Sequence, residues 1–124
     1  FYALARQETA MTGYQEWTVR EGSTEAIVFV LYDGSSAYSL TGYTALQMRL
    51  VPHAGGTTKT FAPADSELAV TDAANGEVTF YPAADTLAYS DRAYDVYFWV
   101  TDGNSRKISF PHNGAFVLQM IDDP

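Results

Sequence analysis

Two histidines, fifteen carboxylates and no cysteine are the material available for chemistry in this chain. His53 and His112 stand in Pro52-His53-Ala54-Gly55 and Pro111-His112-Asn113-Gly114, both turn sequences, with no further ligands at the spacing a zinc site requires. They read as solvated turn histidines. No Gly-x-Ser-x-Gly elbow is present, so a nucleophilic serine has no support. Without cysteine there is no disulfide, no thiolate nucleophile and no Cys-ligated metal. Many acids fall in turns and at the C-terminal end, among them Asp33, Asp72, Asp85, Asp91, Asp102, Asp122 and Asp123, and turn aspartates commonly cap their own backbone. Asp33-Gly34-Ser35-Ser36 and Asp102-Gly103-Asn104-Ser105 lack the alternating acids and distal glutamate of a calcium loop. Gly55-Gly56-Thr57-Thr58-Lys59-Thr60 lacks the spacing of a phosphate loop and reads as a hairpin loop. A glycosidase-type carboxylate pair would leave no sequence signature, and no residue pattern favours one. The expectation is a protein that is not an enzyme and carries no metal and no cofactor.

The aromatic residues are the stronger lead. In Asp95–Thr101 strict alternation puts Val96, Phe98 and Val100 on one side and Tyr97 and Trp99 with Asp95 on the other. If the first set is core, two large aromatics face outwards, joined in one reading by Tyr81, Tyr89 and Tyr94. Aromatic residues are enriched at protein interfaces and their energetic hot spots. The same side chains also suit a sugar-stacking platform, or the simple filling of strand positions at a rim.

These residues need strands to position them, and strand signals dominate the chain. Nine Tyr, seven Phe and two Trp mix with Val, Ile and Thr in short runs separated by Asp33-Gly34, Gly55-Gly56, Asn75-Gly76, Asp102-Gly103 and Asn113-Gly114. Strands are expected near Gln15–Arg20, Glu25–Tyr32, Thr44–Val51, Thr58–Phe61, Leu68–Thr71, Glu77–Tyr81, Tyr94–Thr101, Arg106–Phe110 and Ala115–Ile121. In Thr44–Val51, Leu46, Met48 and Leu50 form the core side and Gln47 and Arg49 the other. In Glu25–Tyr32 both sides are apolar, so something covers its second face. One sheet could not bury its own apolar side, so two packed sheets fit best, with a small barrel as the competitor.

At 124 residues the chain has room for one domain with a substantial core, since domains most often hold about 100–150 residues. It divides into an arm over 1–13 and a domain over 14–124. Phe1, Leu4, Ala5 and Glu8 have helical spacing, so the arm is expected to be extended or to form a short helical turn, and to lay Phe1, Tyr2 and Leu4 on a neighbour. A formal charge of −8 opposes both nucleic acid and anionic membrane as partners. The longest apolar run, Ala26–Tyr32, is far shorter than the roughly 20 residues of a membrane helix. Residues 1–12 lack the basic and long apolar regions of a secretory leader.

Several phrases, read in order, are characteristic: Trp17-Thr18-Val19-Arg20-Glu21-Gly22-Ser23-Thr24, Phe29-Val30-Leu31-Tyr32-Asp33-Gly34, Leu40-Thr41-Gly42-Tyr43-Thr44, Gly76-Glu77-Val78-Thr79-Phe80, Tyr94–Gly103 and Ile108-Ser109-Phe110-Pro111. From Trp17 to Ile121 the chain resembles the immunoglobulin-like domain at the N-terminus of the phage baseplate upper protein family. Tyr89-Ser90-Asp91-Arg92 stands where that family more usually has Pro-Gly. The resemblance implies an all-β, immunoglobulin-like β-sandwich of about seven to nine antiparallel strands. It also implies a structural role in a tailed-phage virion, in several copies, docked on other virion proteins at baseplate, tail, neck or capsid surface. Contacts are then expected at Tyr97 and Trp99 on the face and at Phe1, Tyr2 and Leu4 on the arm. The rival is a carbohydrate-binding sandwich for host adhesion.

Overall fold

The structure, a computed structural model, describes residues 2–6, 16–34, 36–110 and 116–121. Its strands in chain order are β1 (Tyr2–Arg6), β2 (Glu16–Arg20), β3 (Ile27–Asp33), β4 (Ser36–Ala37), β5 (Ala45–Pro52), β6 (Lys59–Phe61), β7 (Leu68–Asp72), β8 (Glu77–Phe80), β9 (Ala93–Thr101), β10 (Lys107–Phe110) and β11 (Phe116–Ile121). They form two sheets. The first runs β1-β3-β8-β7 with β4 folded back on β3, and the second runs β2-β11-β9-β5-β6 with β10 also on β9. This is a sandwich and not a barrel.

All nine expected strands are present, and two more join them. β4 is a two-residue return after Asp33-Gly34, too short to show a period. β1 pairs antiparallel with β3, Tyr2 opposite Tyr32 and Arg6 opposite Val28. The arm is therefore extended at Tyr2–Arg6, not helical, and it is not separate from the domain: its backbone occupies the edge of β3. The physical reason is that β3's free edge offers unpaired backbone groups that a five-residue strand satisfies better than an isolated helical turn, which is marginal in water. The pairing is also not wholly antiparallel, since β2 runs parallel to β11, Glu16 opposite Val117 through Arg20 opposite Ile121. β10 and β11 hold β9 in registers four residues apart, with Phe110 opposite Phe98 and Phe116 opposite Val96.

Alternation along each strand builds the core between the sheets. Ile27, Phe29 and Leu31 of β3 and Val78 and Phe80 of β8 face Leu46, Met48 and Leu50 of β5, Val96, Phe98 and Val100 of β9, and Phe116 and Leu118 of β11. Phe29 lies edge-on to Phe98 at 5.0 Å and to Phe116 at 5.2 Å between centroids, so one ring of the first sheet touches two of the second. Phe61 against Phe80 and Tyr38 against Phe110 add two further ring contacts. Val28, on the other side of β3, is also almost fully buried, as the doubly apolar sequence of that strand requires.

Turn chemistry closes the ends. Gly76 sits at φ 67° directly against the main chain, where an added Cβ would lie 2.4 Å from the Tyr38 carbonyl oxygen and 2.8 Å from that of Leu31. In the β9–β10 hairpin the Asp102 carboxylate accepts from the N–H groups of Asn104 and Arg106, both at 2.9 Å, as expected of a turn aspartate. Ser105, and not Gly103, takes the left-handed position there.

The start of β9 is fixed by a polar latch. Tyr94 is fully buried, which corrects its placement among outward aromatics, and it has the same parity as Val96. Its hydroxyl accepts from the Ala88 N–H at 3.0 Å and donates to Asp91 Oδ2 at 2.5 Å. Lys59 Nζ reaches in from β6, donating to the Thr86 carbonyl and lying 3.8 Å from Asp91 and 5.3 Å from the Tyr94 ring centroid. Arg92, between them, holds φ 66° and ψ −57°, a strained γ-turn conformation. Its N–H donates to Tyr89 and its carbonyl accepts from Met120, which keeps it there. Burial, reinforced by the hydrogen bond to Asp91, pushes the Tyr94 hydroxyl up to about 12.

Phe29→Ala is expected to lower stability by about 3–5 kcal/mol in urea unfolding, because the void opens between both sheets. Tyr94 has a second, pH-dependent signature. Its folded pKa lies above the unfolded value near 10, so its contribution is intact below pH 10 and is lost as pH rises towards 12. The Tyr94→Phe variant should lack that alkaline loss, of about 2 kcal/mol, and be less stable at neutral pH by about 1–3 kcal/mol, both read from denaturation at stepped pH.

Candidate binding face

With Tyr94, Val96, Phe98 and Val100 committed to the core, Asp95, Tyr97 and Trp99 must project from the outer face of the second sheet. They are half-buried there, so neither a wholly solvated rim nor an interior position describes them. Register names their neighbours. Trp99 lies opposite Gln47 on β5 and Ser109 on β10, Tyr97 opposite Arg49, and Asp95 opposite Val51 and Val117. Arg49 Nε donates to Gln47 Oε1 at 2.8 Å, which lays the guanidinium stem along the sheet. Lys107 Nζ stands 5.0 Å from the centroid of the Trp99 ring, a cation–π contact.

His53 follows β5 and turns back onto this face, its Nε2 2.6 Å from Asp95 Oδ1. It is therefore partnered, in contrast to the solvated turn residue expected, while remaining about two-fifths exposed. The pair joins the residue just past β5 to the start of β9 on the outer face of the second sheet. His112 lies outside the described residues.

Tyr2, Leu4, Tyr81 and Tyr89 do not join this face. Phe1 lies outside the described residues. Tyr2 and Leu4 lie at backbone positions opposite Tyr32 and Val30, in the first sheet. Tyr81 and Tyr89 are exposed but follow β8 and occupy a 3₁₀ turn, respectively, so five aromatics do not make one surface. A pocket of about 150 Å³ opens beside β2, lined by Trp17, Arg20, Ser23, Glu25 and Ile27 with their neighbours, and contains none of the expected residues. Among the described residues no group of three or more His, Cys, Asp or Glu is arranged to hold a metal ion. Arg49, Gln47 and Lys107 carry no motif that marks them as site residues. Alternation placed the first two on the outer side of β5, but only strand register puts them beside Tyr97 and Trp99.

The sheet order is the one that defines an immunoglobulin-like β-sandwich: β1, β3, β8 and β7 take the A-B-E-D positions, and β11, β9, β5 and β6 take G-F-C and the added edge strand of the variable arrangement. The tyrosine corner at Tyr94, at the start of the F-position strand, belongs to the same architecture. No protein-family model and no curated protein sequence matches the chain. Among solved structures, murine CRIg aligns over 100% of both chains at 16% identity with a TM-score of 0.47.

Because Tyr97 and Trp99 are half-buried outside the inter-sheet core, Tyr97→Ser and Trp99→Ser are each expected to lower unfolding free energy by about 1–2 kcal/mol, against about 3–5 kcal/mol for Phe98→Ala on the same strand. Thermal and urea unfolding of the three variants provides the comparison.

Proposed function

We propose that this chain is a non-enzymatic assembly module of a tailed-phage virion, docking on neighbouring virion proteins through the outer face of its second sheet. The observation that carries the docking face is the pair Tyr97 and Trp99, held outwards and half-buried on a sheet whose inner side is packed. Such side chains bring large apolar area at small entropic cost, which is the property of interface anchors. The virion setting rests on the sequence resemblance from Trp17 to Ile121. Lys107 over the Trp99 ring favours a protein partner over a stacked sugar, because the ring face a sugar would need already holds an ammonium group.

Mass spectrometry of particles purified from the source phage should find the chain in fixed stoichiometry. Trp99→Ser combined with Tyr97→Ser should remove it from the particles while the isolated domain remains folded. A chain absent from particles, or retained in them by the double variant, would end this reading. Cell-wall sugars should leave the tryptophan emission unchanged.

A further inference from the structure

Charge is not spread evenly over this acidic molecule. The outward register positions of the second sheet hold Arg20, Arg49 and Lys107 against Asp95 and the position of Glu16, three cations to two acids. Among the described residues off this face, four cations stand against ten acids. Asp95 is moreover engaged by His53. Lys107 lies beyond Trp99 on β10, Arg49 beside Tyr97 on β5, and Arg20 on the far edge strand; between them lie Gln47, Ser109, Val51 and Val117 and one acid, Asp95. At physiological salt charges interact over only about 8 Å, so a partner seated on this face meets the local cations and little of the acidic remainder.

We infer that the face takes an acidic protein surface, one with an apolar centre for Tyr97 and Trp99 and carboxylates around it for Arg49 and Lys107. This rests on the docking reading and specifies the partner's chemistry. A second copy placed face to face would set these cations towards like charge, and an extended polyanion would run off the face onto the acidic surround. A compact acidic patch meets neither penalty.

The test is a titration of the full ¹⁵N-labelled chain with three probes: a short peptide of leucines flanked by glutamates, the same peptide with lysines, and a heparin disaccharide. The acidic peptide is expected to shift amide resonances of β5, β9 and β10. That response should weaken at least roughly tenfold in Arg49→Glu/Lys107→Glu, and also on raising salt from about 20 to about 500 mM. The milder Arg49→Gln/Lys107→Gln variant should lie between. Absence of shifts with the acidic peptide, equal response to the lysine peptide, insensitivity to charge reversal, tighter binding of heparin, or a dimer in sedimentation without any probe would each overturn the inference. If it fails while Trp99→Ser/Tyr97→Ser still removes the chain from particles, the docking face stands and only the partner's charge is wrong.

Discussion

The fold depends on Phe29. In a chain without cysteine no covalent link can join the two sheets, so their union rests on side chains that interdigitate across about 10 Å. Phe29 is almost wholly buried and meets Phe98 and Phe116 of the opposite sheet edge-on, the geometry that the charge distribution of aromatic rings prefers. Because that contact is non-covalent, it holds only while β3, β9 and β11 keep their registers. A slip of one residue in any of them would turn its apolar set outwards.

The latch at Tyr94 is what protects the register of β9. The hydroxyl, the Asp91 carboxylate and the Lys59 ammonium satisfy one another in a partly desolvated corner, where an unpaired group would cost far more than the bond itself contributes. Lys59 comes from the edge strand β6, so the same contact ties that short strand to the corner. The strain at Arg92 is borne within this arrangement by two backbone hydrogen bonds. With Tyr94 inward, period-2 geometry sends Tyr97 and Trp99 outward. The outward position of both aromatics is a consequence of the corner.

The two outer faces differ in kind. Beside the first sheet's β3, Val28 is buried and Thr79 hydrogen-bonds to Thr71, so that side is largely self-contained. The second sheet's outer face is half-buried throughout β9 and carries aromatic, amide and cationic groups together. Specificity at a protein surface comes from such mixtures, in which apolar area supplies affinity and the surrounding charges select the partner.

Alternation and turn residues alone determined nine of the eleven described strands, the core parity of Leu46, Met48 and Leu50, and the outward pair on β9. They do so because a pleated strand has a period of two and Gly, Asn and Asp mark where it ends. The same parity, shared with Val96, puts Tyr94 inwards and not among the outward aromatics with which one reading of the sequence joins it. Only the tertiary structure decided that Tyr2–Arg6 completes a sheet, that β2 runs parallel to β11, and that His53 reaches Asp95. Each of these is a pairing between segments distant in sequence, and no local pattern encodes the register that brings them together.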